Sequence, residues 1–152
     1  MTTLAGERPS VMTRILIAID GSDPAEKALE FAFDHHAETE LMALSVVDPT
    51  AYSQGTVEMV QPNVDAWRDE AEAEARSVLE AAADRAEAAG VTLETDFVYG
   101  SPARAIVEYA ADNDVDQIIV GSHGREGVSR VLLGSVAETV VRRSSVPVTV
   151  VR

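Results

Sequence analysis

Ile15-Leu16-Ile17-Ala18-Ile19-Asp20-Gly21-Ser22-Asp23-Pro24 is the stretch on which the fold turns. Its first five residues are apolar without alternation. A run of that length is far short of a membrane span and suits a central parallel strand covered on both faces. Asp23-Pro24 predicts a helix start directly after it, with Asp23 at the N-cap, Pro24 in the first turn and Glu26 at the third position. Ala25, Ala28, Leu29, Ala32 and Phe33 then repeat at helical spacing. A buried strand that passes straight into an amphipathic helix is the first half of a β-α-β unit.

The same alternation continues outward from this stretch. Leu41 to Val47 predicts a second buried strand, ended by Asp48-Pro49. A polar loop with Tyr52, Gly55 and Pro62 follows to about Asn63. Val64 to Ala89 predicts a long helix with Trp67, Ala71, Ala75, Val78, Ala82 and Ala86 inward and Gly90 as its stop. Leu93 to Tyr99 alternates only partly, as a strand near a sheet edge does. Ser101-Pro102 opens a helix with Ala103, Ile106, Val107 and Ala110 on its apolar face. Gln117 to Val120 is a fourth strand, Ser135 to Arg143 a last helix and Val146 to Val151 a last strand. Right-handed crossovers turn β-α-β-α-β-α-β-α-β into an open doubly wound parallel five-stranded α/β sheet with helices on both faces. Residues 1–12 read as a flexible tail and 13–152 as one domain.

Composition narrows the function classes. The 152 residues hold no cysteine, which removes disulfides, thiol nucleophiles and cysteine-built zinc sites. Asp and Glu number 26 against 12 Lys and Arg, a formal charge of −14. A field of that sign repels nucleic acid and anionic membranes, so neither is an expected partner. Lys27 is the single lysine. Acid-rich, lysine-poor surfaces resemble those of proteins from salt-accumulating halophiles. No signal peptide or membrane span is evident, and a cytoplasmic location is expected.

The chemistry concentrates after the fourth strand, in Gly121-Ser122-His123-Gly124, nine further residues, and Gly134-Ser135. Ligands of such sheets bind beyond the carboxyl ends of strands, where crossovers diverge. Glycines there permit positive φ and close approach of backbone N–H groups to an anion. Ser135 and Glu138 fit a capping box, which places Gly134 and Ser135 at the electropositive mouth of the last helix. The chain has neither G-x-x-x-x-G-K-[ST] nor G-x-G-x-x-G, so neither a Walker-type nor a standard dinucleotide site is expected.

The combined pattern Gly121-x-x-Gly124-x9-Gly134-Ser135 resembles the nucleotide-binding signature of the universal stress protein family, in its ATP-binding branch. The likeness runs from about residue 13 to residue 152. It takes in Ile15 to Ser22, Leu132 to Glu138 and Ser145 to Val151. The resemblance implies ATP, ADP or AMP as cofactor, with magnesium or manganese riding on the phosphates. It implies that Asp20 contacts the adenosine moiety, beside backbone of Ala18 and Ile19, and that Val46 at the end of the second strand lies against adenine. Gly121, Gly124, Gly134, Ser135 and Val136 would form the phosphate and ribose cradle, with His123 and Arg125 inside its loop. Arg125 can add charge toward the phosphates or remain a surface arginine. The resemblance also implies a homodimer through Val146 to Val151.

No strong nucleophile or water-activating dyad is apparent, so no catalytic residue and no protein-built metal site is assigned. The expected role is a stress-response switch or scaffold with slow or no hydrolysis. The alternative is a dimer of the same type that binds no nucleotide. An adenylating enzyme would carry an S-G-G-x-D-S loop after the first strand, where this chain has Asp20-Gly21-Ser22-Asp23.

Overall fold

A computed structural model describes residues 13–50, 64–123 and 133–152. The expected tail, 1–12, and the expected polar loop around Tyr52, Gly55 and Pro62 lie outside them. The elements are β1 (Arg14–Ala18), α1 (Asp23–His35), β2 (Glu40–Val47), α2 (Val64–Ala89), β3 (Leu93–Tyr99), α3 (Pro102–Asp112), β4 (Gln117–Gly121), α4 (Ser135–Arg143) and β5 (Val148–Val151). The five strands form one sheet in the order β3-β2-β1-β4-β5, with every neighbouring pair parallel. This is the α/β architecture that the sequence predicts.

The unbroken apolar run of β1 has a direct structural cause. Its side chains alternate between two cores. Ile15, Ile17 and Ile19 pack with Ala28, Leu29 and Ala32 of α1 and Leu79, Ala82 and Ala86 of α2. Leu16 faces the other way, with Ala103, Ile106 and Ala110 of α3 and Ala137 and Val140 of α4. Ile15, Leu16 and Ile17 are fully buried. Two helices therefore cover each face, and a central strand has no side left for water. β3, at the sheet edge, leaves Glu94, Thr95 and Asp96 exposed.

Several element ends differ from expectation. Ser22, not Asp23, is the N-cap of α1; its side chain accepts from the N–H of Ala25. The cause lies upstream. Asp20 Oδ1 accepts the Ser22 N–H at 2.9 Å across Gly21, whose φ is +83°. That turn aims the serine hydroxyl at the helix. Asp23 and Pro24 become the first two helical residues, and Glu26 moves to the fourth. In α2 the buried line is Ala75, Leu79, Ala82 and Ala86. Leu79 takes the place expected of Val78, and Trp67 is only half-buried. β5 begins at Val148 rather than Val146, because Ser144 Oγ takes the Val146 N–H at 3.0 Å and Pro147 has no N–H to give. Gly90 does end α2, at φ +72°, with the Val91 N–H reaching back to Ala86 O.

Candidate functional site

The strand order reverses between β1 and β4. From β1 the chain moves outward to β2 and β3, with α1 and α2 on one face. It then crosses back to β4 and β5, with α3 and α4 on the other. Among the described residues no crossover covers the carboxyl ends of β1 and β4, and a crevice is left there. It holds a cavity of about 410 Å³.

Ala18, Ile19 and Asp20 reach it from the end of β1, and Val46 with Leu44 from β2. Gly121 and His123, with Val120, come from β4 and the turn after it. Gly134, Ser135 and Val136 come from the start of α4. These include every predicted site residue among the described ones. Gly124 and Arg125 lie outside the described residues. Asp20 and Gly134, which a shared nucleotide site requires on one side of the sheet, line the same cavity.

Sequence reasoning missed the wall that Pro102 and Ile106 of α3 contribute, together with Ala25 and Ala137. Helical spacing alone puts Ile106 on the apolar face of its helix. The available signal was Ser101-Pro102, which begins a helix straight after a strand end, the same arrangement that marked Asp23-Pro24. With Leu44, Val46 and Val120, these residues give the cavity much of its apolar lining.

The lining also includes the start of a helix. α4 starts at Gly134, an extended residue at φ −72° and ψ 168°, whose N–H donates to Ser122 O at 2.6 Å. The first intrahelical bond is Glu138 N–H to Gly134 O. The N–H groups of Ser135, Val136 and Ala137 therefore have no partner within the helix, and no side chain caps it. The expected capping box is not formed. It needs Ser135 at the N-cap, and the bond from Gly134 to Ser122 moves the helix start one residue earlier. Glu138 instead pairs with Arg142 one turn on. An uncapped helix mouth opening on a cavity favours an anion there through its dipole and its bare donors.

The two glycines work differently from the sequence argument. Among the described residues, glycine has positive φ at Gly21, Gly90 and Gly100 only. Gly134 is conformationally ordinary, and a Cβ on it would sit 3.2 Å from His123 Cα. Gly121 is required by packing: a Cβ there would lie 2.6 Å from the backbone carbonyl of Pro24.

Asp20 and His123 are the only ionisable side chains among the described lining residues. Asp20 serves the turn before α1 and the cavity wall together. His123 Nδ1 lies 3.1 Å from Ser122 Oγ. Its Nε2 is the one buried side-chain nitrogen or oxygen among the described residues without a hydrogen-bond partner. No described group of three or more His, Cys, Asp or Glu could hold a metal ion. No described helix is long and apolar enough to cross a membrane.

Residues 12–152 match the model of the universal stress protein family. The universal stress protein YxiE of Bacillus subtilis is 36% identical over 149 residues, covering 93% of this chain and all of that protein. The solved structure of MJ0577, a universal stress protein of Methanocaldococcus jannaschii, superposes with a TM-score of 0.78 at 31% identity, covering 91% of this chain and 94% of the other. A universal stress protein solved in complex with cAMP superposes at 0.67 with 29% identity, covering 93% and 97%. Sheet order, site placement and these matches agree, and the chain belongs to the universal stress protein family.

Proposed function

We propose that the protein binds an adenine nucleotide, ATP, ADP or AMP, in the cavity between β1 and β4, and acts as a stress-response switch or scaffold with slow or no hydrolysis. The supporting observation is one cavity that joins an apolar pocket, a carboxylate and an uncapped helix mouth. Those three features match the base, sugar and phosphate of a nucleotide in chemistry. Adenine lies against Val46 and the backbone of Ala18 and Ile19. Asp20 accepts from ribose hydroxyls. The N–H groups of Ser135 and Val136 meet phosphate oxygens, with Gly121 and Gly134 allowing close approach and Gly124 and Arg125 completing the loop. The related protein in complex with cAMP supports an adenine ligand for this fold. Magnesium or manganese is carried on the phosphates with water completing its shell.

The protein works in the cytoplasm as a homodimer through its C-terminal strand. The two sheet edges support that choice. β3 displays Glu94 and Asp96, which discourage pairing, whereas Val148 to Val151 of β5 carries no charge. Light scattering should give twice the chain mass; a monomer at high protein concentration and high salt counts against the dimer.

The binding test is direct. Nucleotide released from purified protein is identified by mass spectrometry, and ATP, ADP and AMP are titrated calorimetrically at high salt. Micromolar binding of at least one is expected. Absence of binding by all three would sink the proposal.

A further inference from the structure

We infer that Asp96 closes the free edge of β3 to a second copy of this chain, by holding the edge-facing N–H of Phe97 on its own carboxylate. The inference stands apart from the nucleotide reading and from the dimer through β5.

β3 lies at one end of the sheet order, and among the described residues β2 is its only neighbouring strand. Main-chain groups in a ladder point to one side and the other at alternate residues. Gly100 fixes the sense of that alternation, because its N–H donates to Val47 O of β2 at 2.9 Å. The register runs unbroken from Leu41 opposite Leu93 to Val47 opposite Tyr99. Asp96 and Val98 therefore turn their N–H and C=O toward β2, as Gly100 does. Thr95 and Phe97 turn theirs away from it. An outward row of this kind is a template for a further strand, and a second copy of the chain brings the same row.

The Phe97 N–H in that row is already taken. Asp96 Oδ1 accepts it at 2.8 Å, while Asp96 Oδ2 accepts the Tyr109 hydroxyl at 2.8 Å. Tyr109 comes from α3, and its oxygen also lies 3.0 Å from Met42 Sδ of β2. One carboxylate oxygen is thus anchored to a packed helix, and the other is given to the edge. A bond to a carboxylate is roughly twice as strong as the neutral one an incoming carbonyl offers in exchange. Docking would also strip water from the carboxylate. Glu94 shares the Asp96 face of the strand, so charge and hydrogen bond both oppose pairing. Salt removes the first and leaves the second.

The masses of wild type, Asp96→Ala, Asp96→Asn and the double variant Thr95→Pro with Asp96→Ala are measured by light scattering over a range of protein concentrations. The solution holds about 1 M KCl, where charge reaches only about 3 Å. Asparagine keeps an oxygen for the Phe97 N–H and drops the charge. Proline at position 95 removes an outward N–H and no bond to β2. Asp96→Ala should reach about twice the wild-type mass or more as concentration rises, and return on dilution. Asp96→Asn and the double variant should keep the wild-type mass. An Asp96→Ala mass equal to wild type overturns the inference. Growth of Asp96→Asn as large as that of Asp96→Ala overturns it too, by making charge the barrier. A double variant that stays large places the contact elsewhere and has the same force. A further readout uses wild type alone. Corrected for sequence, the Phe97 amide should exchange its hydrogen about tenfold more slowly than the Thr95 amide, which faces the same way. Equal exchange refutes the bond on which the inference stands.

Discussion

At Gly121 the end of β4 meets the first turn of α1 with no room for a methyl group. A Cβ would overlap the Pro24 carbonyl carbon and oxygen, both at 2.6 Å. Backbone cannot swing aside as a flexible side chain can. Gly121→Ala must therefore part β4 from α1, which also shifts Asp20 and the cavity wall. We expect a loss of about 1–3 kcal/mol in urea unfolding, the usual range for overpacking, and weaker AMP binding. Unchanged stability would show that the close approach relaxes without cost. The sequence marked Gly121 for a different reason, conformational freedom near a ligand. Its residue type was legible, but the contact that demands it was not, because Pro24 lies 97 residues away in the chain. Val46 shows the same limit from the other side. Its own neighbourhood spells only a buried strand, and its place at the cavity follows from β2 lying beside β1.

At the level of elements, the two helices that flank the site begin in opposite ways. α1 is capped by Ser22, whereas α4 begins at Gly134 without a side-chain cap. Both starts were expected one residue later, and both were moved by a hydrogen bond from outside the helix: Ser22 N–H to Asp20, and Gly134 N–H to Ser122 O. The bond from Gly134 reaches back to a main-chain carbonyl in the turn after β4, which local capping rules do not see. α3 shows how a helix is fixed to a sheet edge. Its Tyr109 donates to Asp96 of β3 at 2.8 Å and lies 3.0 Å from Met42 Sδ of β2. Burial first, and then the bond to Asp96, raise the Tyr109 phenol well above the ordinary tyrosine range. A raised value in the folded state favours the protonated phenol. Its stabilising contribution is then complete below the unfolded value of about 10 and declines above it. Wild-type stability should fall as pH rises from about 10 toward 12, and Tyr109→Phe should lose less over that interval. Chemical denaturation at several pH values measures the difference. Parallel curves for the two proteins would mean that the phenol ionises freely in the folded state.

At the scale of the whole molecule, the five strands, the four helices and the reversal of order seen among the described residues could be foreseen, because buried parallel strands and amphipathic helices leave distinct periods. The meeting of Pro102 and Ile106 with Leu44 and Val120 could not, since it depends on α3 crossing from β3 at one edge back over β2 and β1. Net charge acts at this scale too. Several of the described arginines are already engaged with acids: Arg14 with Glu40, Arg76 with Glu72, Arg85 with Glu26 and Glu30, Arg104 with Glu108, and Arg142 with Glu138. With 26 acidic residues against 12 basic ones, the remainder repel one another and any anionic ligand. Salt shortens the reach of that repulsion from about 10 Å at 0.1 M to about 3 Å at 1 M. Raising KCl over this range at pH 7 should therefore stabilise the fold by on the order of 1 kcal/mol, a rise of roughly 4 °C in Tm. It should also tighten ATP more than adenosine, because only ATP feels the charge. A general salting-out effect would instead help both ligands alike. A Tm that falls with KCl would mean that the surface ion pairs, which salt weakens, outweigh the repulsion among the unpaired acids.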